Sequence, residues 1–286
     1  MDAPLDCSGT GRGEELAPAA LRAAGLIERL GARDAGQADA QIRDTRRDPE
    51  TGVIGALDVR RAATDIAARV RNVRGAGEFP LVVGGDCTLL LGVFQALPAG
   101  CGLWFVDGHA DFYDGKTSPT GEAADMDLAI LTGHGPLGLL DTERLLDPAA
   151  TVLLGHRPSE LNADVAFENA RIDPAIFALT APELRKGGAE RGGLEALRRL
   201  TGRPAWLHLD LDVLDETALP AVTYPQPLGL DWDELEALAR PLAAAPSLLG
   251  VSVADFNPER DPDGVHAARV VDLLATLLAG PAGGRS

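Results

Sequence analysis

Short apolar runs alternate along this chain with longer segments in which apolar residues recur at helical spacing. In one such segment, residues 58–74, apolar Ile66, Val70 and Val73 share a face and no proline or glycine interrupts, so an amphipathic helix is predicted. Strands separated by helices imply a mainly parallel sheet with right-handed crossovers. The runs that predict buried strands are residues 81–83, 103–106, 151–154, 176–179, 205–207 and 248–254.

Other local signals place helix ends and one long loop. Pro18 and Gly25 bracket a short helix, and Asp231 followed by Glu234 predicts a capped helix that continues to about residue 242. Residues 112–138 are rich in Gly, Pro, Thr and Asp, which is typical of a long functional or irregular loop. No internal repeat or linker is visible, so a single domain over residues 1–286 is expected. Further helices are predicted at residues 89–97 and 270–278.

Three of the predicted strands lead directly into segments that carry acidic, imidazole or thiol side chains. In an open α/β sheet, ligands bind outside the carboxyl ends of the strands, so these segments are expected to converge. Residues two apart on an extended strand face the same side, which brings alternate acids and imidazoles toward one pocket. The segments are Gly84-Gly85-Asp86-Cys87, Asp107-Gly108-His109-Ala110-Asp111 and His208-Leu209-Asp210-Leu211-Asp212.

This set of donors suits Mn²⁺ or a similar divalent cation and can bridge two ions. A bridging carboxylate holds two cations roughly 3.5–4 Å apart, and a water that they share has a strongly lowered pKa. The alternative is that the acids are solvated loop residues, which is where aspartate usually lies. Three such segments at successive strand ends favour the metal site and predict a binuclear metallohydrolase.

The charge balance narrows the candidate partners. Lysine and arginine number 26 against 43 aspartates and glutamates, which gives a formal net charge of −17. Neither nucleic acid nor an anionic membrane is expected as a partner of such an acidic chain. The charge mildly favours a small cationic substrate, although genome composition and solubility are the better explanation of the bulk charge.

Composition is typical of an intracellular globular protein. Hydrophobic residues make up 45% of the chain, which argues against general disorder. No apolar run of membrane-spanning length and no signal peptide is visible, so a cytoplasmic location is expected. Cys7, Cys87 and Cys101 are too few and too scattered to form a disulfide framework.

The three motif segments together resemble the signatures of the arginase/agmatinase (ureohydrolase) family, and the resemblance covers nearly the whole chain. It implies a three-layer α/β/α fold with a mainly parallel central sheet, and hydrolysis of a guanidino or related non-peptide C–N bond in a linear amidine. It also implies two divalent metal ions, with Mn²⁺ expected, and a homo-oligomer that is a trimer or hexamer. The matching stretches are residues 84–88, 107–111 and 210–215.

The resemblance also assigns metal ligands by position. Two residues, Asp107 and Asp210, would bridge the two ions. One ion would be completed by Cys87 and Asp111, and the other by His109 and Asp212. Asp111 would orient a hydroxide shared by the ions and accept its proton as the hydroxide attacks the guanidinium carbon.

This chain departs from the family pattern at the first motif and near the last strand. Cys87 stands where the family usually has histidine, and a thiolate favours Zn²⁺ or another thiophilic ion over Mn²⁺. Cys87 could equally be a small buried apolar residue. Asp255 stands where the family usually has a glutamate paired with the substrate's guanidinium, so a shorter carboxylate is predicted to hold that charge. His208 and Glu216 replace a usual serine and proline.

Three further residues are weaker candidates. His134, in the long loop, resembles a histidine that moves protons near the leaving group, but it could equally be a surface residue. His156 and Arg157 follow a predicted strand and could bind a substrate carboxylate, since arginine offers bidentate hydrogen bonds. A structural role for both is the competing interpretation.

The sequence therefore predicts a metal-dependent hydrolase of a small cationic guanidino compound. One alternative keeps the fold but changes the substrate to an N-hydroxyguanidino or formimino compound, because both Cys87 and Asp255 depart from the usual pattern. A second alternative is a metal-poor scaffold that has lost catalysis. The four acids and one imidazole of the second and third motifs argue against it, because clustered carboxylates are costly without a cation.

Overall fold

A parallel seven-stranded sheet forms the centre of the molecule. The computed structural model describes residues 1–142 and 144–279. The strand order is β1-β2-β7-β6-β3-β4-β5, and every neighbouring pair is parallel. The strands are β1 Asp2–Ala3, β2 Leu81–Gly84, β3 Gly102–Val106, β4 Thr151–Leu154, β5 Phe177–Leu179, β6 Ala205–Asp210 and β7 Leu248–Ala254.

Helices cover both faces of this sheet and complete the predicted three-layer arrangement. Residues of α1, α2 and α7–α10 pack in one hydrophobic cluster, and residues of α3, α4 and α5 pack in the other. No helix of the described part of the chain is long and apolar enough to cross a membrane. The helices are α1 Ala17–Ala23, α2 Leu26–Leu30, α3 Ala56–Gly75, α4 Leu89–Ala96, α5 Asp127–Thr132, α6 Ala163–Asn169, α7 Ala181–Gly187, α8 Ala189–Arg199, α9 Trp232–Ala243 and α10 Val265–Leu278.

The apolar runs of the sequence form strands because both faces of the sheet are covered. Along β3, Trp104 and Val106 belong to one hydrophobic cluster while Leu103 and Phe105 belong to the other. A strand covered on both faces has no polar side, so it is apolar throughout instead of alternating. Burial of each such large side chain stabilises the fold by about 1.5–3 kcal/mol relative to exposure.

The structure confirms most predicted elements and corrects two. The boundaries of β4 and β7 agree with the prediction, and Asp231 caps α9 in a reciprocal pair with Glu234. The loop predicted at residues 112–138 is wrong in part, because its buried apolar residues form α5. Helix α10 begins at Val265, five residues before the predicted start.

Candidate metal centre

Four neighbouring strands deliver the candidate residues to one edge of the sheet. Strands β2, β7, β6 and β3 are consecutive in the sheet, and they are the strands that precede Cys87, Asp255, Asp210–Asp212 and Asp107. Their registers align the carboxyl ends, since Val83 pairs with Val253, Ala254 with Asp210, and Leu209 with Val106. The predicted convergence of the three motifs is therefore observed.

Backbone hydrogen bonds hold three of the carboxylates in place. Asp107 Oδ1 accepts the N–H of His109 at 2.6 Å, and Asp210 Oδ1 accepts the N–H of Asp212 at 2.7 Å. Asp212 Oδ1 in turn accepts the N–H of Gly108 at 3.1 Å. A side chain at Gly108 would lie 2.7 Å from that same oxygen, so glycine permits the close approach of the two motifs. In Asp107 and Asp210 one oxygen is thus held by the backbone, while Oδ2 of each faces Cys87.

One group of potential metal ligands surrounds Cys87. The Cys87 thiol donates to Asp210 Oδ2 at 2.6 Å, and Sγ lies 3.0 Å from His208 Nε2 and 3.7 Å from Asp107 Oδ2. One ligand atom from each of these four residues lies within 4.8 Å of the others, and all four residues are buried. We call this group, Cys87, Asp107, His208 and Asp210, the Cys87 side.

A second group surrounds His109. His109 Nδ1 lies 2.8 Å from Asp212 Oδ2 and 3.9 Å from Asp107 Oδ1. These three residues also have ligand atoms within 4.8 Å of one another. The side chain of His109 is 23% exposed, so this group is more open to solvent than the first. We call it, Asp107, His109 and Asp212, the His109 side.

The donor set fits two divalent cations. Asp107 belongs to both groups, as expected of a bridging carboxylate, whereas Asp210 belongs to the Cys87 side. Bridging by Asp210 stays a prediction. Asp111 lines the same cavity but is a member of neither group, so its role as a ligand is also a prediction. A divalent ion would stabilise buried oxygen, nitrogen and sulfur donors that lie this close together.

The cavity above the two groups is small and strongly acidic. It has a volume of about 160 Å³. His109 and Arg12 are its basic lining residues, and Arg12 is already paired with Glu14 and Glu122 at 2.9 and 2.8 Å. Such a pocket favours a cation over an anion. The acidic lining residues are Asp86, Asp107, Asp111, Glu122, Asp125, Glu168, Asp210, Asp212 and Asp255.

In the protein without metal, burial keeps the Cys87 side largely uncharged. Burial, assisted by the nearby Asp210 carboxylate, raises the pKa of the Cys87 thiol well above its usual value. Burial and the charge of Asp212 likewise raise the pKa of Asp107 and Asp210. Burial lowers the pKa of His208 to about 3, so this imidazole is neutral at neutral pH.

The His109 side is instead an ion pair. Burial alone would lower the pKa of His109, but the Asp212 carboxylate outweighs it and raises this pKa to about 9. Burial would raise the pKa of Asp212, but His109 outweighs it and lowers that pKa. Both shifts favour the charged form of the residue, so they describe an imidazolium beside a carboxylate.

Two cavity acids have unusual backbone conformations. Asp111 has φ of 48° and Asp255 has φ of 63°, which lie in the left-handed region that non-glycine residues rarely adopt. Such conformations cost about 1–3 kcal/mol and cluster at functional sites. The surrounding fold holds Asp255 in this conformation partly through its N–H, which donates to Gly85 O at 2.8 Å. Asp255 Oδ2 lies 3.4 Å from Cys87 Sγ.

Three weaker candidates do not lie at the cavity. His134 is 41% exposed and its Nε2 lies 3.1 Å from Asp173, so the structure does not bring it to the metal-binding residues. His156 is buried, and burial lowers its pKa to about 4. The Arg157 guanidinium donates to five backbone carbonyl groups, which holds the third motif in place and leaves it no free face for a substrate. These carbonyls belong to Asp212, Val213, Leu214, Gln226 and Pro227.

The structure also brings to the site residues that the sequence analysis did not select as ligands. Glu168, on α6, lines the cavity and accepts the N–H of Phe112 at 3.1 Å. Asp127, the first residue of α5, is buried and helps to raise the pKa of Asp111. No local pattern indicates either residue. The spacing of His208 did indicate its position, because it lies two residues before Asp210 and so shares its face of β6.

The fold and the site define a parallel α/β protein with paired metal-ligand groups at the carboxyl edge of its sheet. The profile of the Arginase family matches residues 1–280, and this chain belongs to that family. The arginase of Bacillus caldovelox is 30% identical over 291 residues, which covers 96% of this chain and 95% of the relative. The arginase of Brevibacillus brevis is 29% identical over 296 residues, with 96% and 95% covered.

Solved structures agree with this assignment. The native structure of Bacillus caldovelox arginase superposes with a TM-score of 0.86 at 28% identity, covering 99% of this chain and 98% of that one. The agmatine ureohydrolase of Thermoplasma volcanium has a TM-score of 0.70 at 21% identity, with 96% and 86% covered, and shares the fold. At the level of the family, the supported activity is metal-dependent hydrolysis of a guanidino compound.

Proposed function

We propose that this protein hydrolyses the C–N bond of a small cationic guanidino compound, using two divalent ions held by the Cys87 and His109 sides. The observation that carries the proposal is one acidic cavity in which residues of both ligand groups meet Asp111 and Asp255. Mn²⁺ on at least one side, and a trimer or hexamer, are the further expectations that family resemblance adds.

Bound ions would supply Lewis acidity and a water of lowered pKa. Asp111 lines the cavity beside Asp107, and its carboxylate is the candidate proton acceptor. Asp255 extends from the end of β7 into the same cavity, where its carboxylate can pair with the guanidinium. Both residues have a left-handed backbone, a conformation that clusters at functional sites.

His134 has no part in this proposal, because its position beside Asp173 leaves it outside the cavity lining. Neither His156, which is buried, nor Arg157, whose guanidinium donates to backbone carbonyls, lines the cavity. The far end of the substrate would instead meet the cavity rim, where the Tyr224 hydroxyl accepts from Arg12 at 2.5 Å.

A substrate panel tests the proposal. Protein loaded with Mn²⁺ or Zn²⁺ would be assayed with L-arginine, agmatine, an ω-guanidino acid, an N-hydroxyguanidine and an N-formimino amino acid, with urea, ammonia and formamide as readouts. A ureido analogue, which lacks the positive charge, is the matched control. Urea release from a guanidino compound and none from the ureido analogue is the expected result. Turnover of the N-hydroxyguanidine or formimino compound alone would favour the alternative substrate class, and no turnover in any arm would overturn the proposal.

A separate variant tests whether Asp255 binds the substrate. Asp255→Asn should lower kcat/KM for the guanidino substrate at least ~30-fold, since loss of one partner of a buried charge pair costs about 2 kcal/mol or more. Metal content should stay unchanged. Asp263→Asn, an exposed aspartate in the segment that follows, is the control. Equal kcat/KM for both variants would remove Asp255 from the substrate site.

A further inference from the structure

His208 projects toward the metal centre from the interior of β6. It lies two residues before Asp210, so both side chains leave the strand on the same face. His208 is fully buried and Cys87 is 2% exposed. Their side chains meet with Nε2 and Sγ 3.0 Å apart. The centre thus contains an imidazole next to the position where the resemblance places Cys87 instead of a histidine.

The neighbouring strands hold the His208 ring in one orientation. Ser252, its register partner on β7, lies with Oγ 2.8 Å from His208 Nδ1. The same hydroxyl accepts the N–H of Trp206 at 2.9 Å. Phe105, the register partner on β3, stacks on the imidazole with ring centroids 5.3 Å apart and planes 19° apart. A histidine that binds a metal commonly uses its second ring nitrogen in such a hydrogen bond, which fixes the tautomer.

We propose that His208 Nε2 and Cys87 Sγ together bind one divalent cation, with Asp107 and Asp210 as its oxygen ligands, and that this side therefore selects Zn²⁺ or a similar thiophilic ion over Mn²⁺. The proposal deepens the proposed function, because it concerns the metal centre on which that function rests. The family usually has a histidine at the position of Cys87. His208 would supply the missing imidazole from a different strand.

The donor chemistry supports a thiophilic ion. One sulfur, one imidazole nitrogen and carboxylate oxygens are ligands that Zn²⁺ accepts, and four-coordinate zinc uses them at about 2.0–2.3 Å. Thiolate is a poor ligand for Mn²⁺, which prefers carboxylate and water oxygens. An ion bound by all four residues must separate Sγ from Asp210 Oδ2, which now hydrogen-bond at 2.6 Å. The thiol proton leaves on binding, because thiolate is the ligand.

The competing interpretation is a buried thiol–imidazole hydrogen bond that only packs the core. It explains the contact between Cys87 and His208, but it gives no reason for Asp107 and Asp210 to offer oxygens within 4.8 Å of both groups. A purely structural pair also predicts that replacing His208 changes stability and leaves metal affinity alone. Metal binding therefore separates the two interpretations.

Co²⁺ is a suitable probe, because a cobalt–thiolate bond gives a near-ultraviolet charge-transfer band. Metal-free full-length protein would be titrated with Co²⁺ and compared with His208→Gln and with His156→Gln, a control histidine that is also buried and follows β4. We expect the thiolate band in the natural protein and in the control. In His208→Gln the ion that gives the band should bind at least ~10-fold more weakly. Residues that only hydrogen-bond to a metal ligand contribute about 10-fold to affinity, so a direct ligand should contribute at least as much. Equal affinity in all three proteins would overturn the proposal.

A second measurement leaves His208 in place. His109→Asn removes the imidazole of the His109 side, so zinc X-ray absorption of this variant with one equivalent of Zn²⁺ reports on the Cys87 side. One sulfur ligand at about 2.3 Å together with one imidazole is the expected spectrum. Sulfur without imidazole would exclude His208 as a ligand, and no sulfur would exclude Cys87.

These tests are independent of turnover. If the cobalt and zinc spectra show both ligands while no compound of the panel is hydrolysed, the proposed function fails and the assignment of His208 stands. If a guanidino substrate is hydrolysed while the spectra show no thiolate, the assignment fails and the function stands.

Discussion

The two sides of the centre share Asp107 and one sheet edge, yet they differ in chemistry and in exposure. The His109 side pairs an imidazolium with a carboxylate 2.8 Å away, and its imidazole is 23% exposed. The Cys87 side is buried and holds a thiol beside a neutral imidazole. An ion that enters the His109 side displaces a proton from an imidazolium, whereas an ion on the other side must displace the proton of a thiol.

If both groups bind ions as proposed, one edge of the sheet carries two unlike metal sites. The ligands of the His109 side are nitrogen and oxygen, which suit Mn²⁺, and its exposure favours easier exchange of the ion. The Cys87 side adds sulfur and a second imidazole in a closed environment. The arrangement that we propose is therefore a mixed pair of ions, with the softer ion at Cys87.

The largest expected effect comes from replacing Asp107, the residue that both sides share. Asp107→Asn should remove both ions and lower activity by ~10³-fold or more, because several kcal/mol of transition-state stabilisation depend on the metals. Metal analysis and the urea assay measure the two losses. Asp215→Asn, a partly buried acid at the end of the third motif that belongs to neither ligand group, is the control and should keep both ions. Full metal content in Asp107→Asn would show that Asp107 does not bridge.

A smaller effect is expected from converting the Cys87 side to the usual family residues. Cys87→His alone would place a second imidazole where His208 Nε2 now lies 3.0 Å from Sγ, so it should bind Mn²⁺ poorly. Adding His208→Ser should restore space and raise Mn²⁺ affinity above that of the natural protein. The coupling between the two changes, measured by calorimetric titration of all four proteins, should favour the double variant by ~10-fold or more. Additive effects would mean that the two side chains do not share a site.

The smallest effect concerns the stability of the protein without metal. Burial raises the pKa of Asp107 and Asp210 above the ordinary value of 3.8, so both bind more protons when folded than when unfolded. Their contribution to stability is therefore greatest below about pH 4 and is lost as pH rises toward the folded-state pKa. Metal-free Asp210→Asn should lose less stability than the natural protein between pH 5 and pH 8. Thermal unfolding measures this, and parallel pH profiles for the two proteins would contradict it.

Sequence patterns predicted the sheet and the convergence of the motif acids because these depend on short-range rules. Strands covered on both faces are continuous apolar runs, as in β4, and their boundaries follow directly. The convergence of Asp107 and Asp210 follows from the parallel order of strands, which alternation with helices implies.

The remaining features depend on tertiary contacts that the sequence does not show. The short helix α5 is stabilised by burial of its apolar residues, within a segment whose composition predicts a loop. His134 matched a family histidine by approximate spacing, but its imidazole lies beside Asp173 instead. His208 could not be paired with Cys87, because the sequence does not say that β2 and β6 flank β7.

The most direct test of two unlike sides is anomalous diffraction from crystals grown with equal concentrations of Zn²⁺ and Mn²⁺. Data collected on either side of each metal's absorption edge give the identity of the ion beside Cys87 and of the ion beside His109. The account predicts zinc within bonding distance of Cys87 Sγ and His208 Nε2, and a higher share of manganese beside His109 and Asp212. The same ratio of metals at both positions, or no ion beside Cys87, would contradict it.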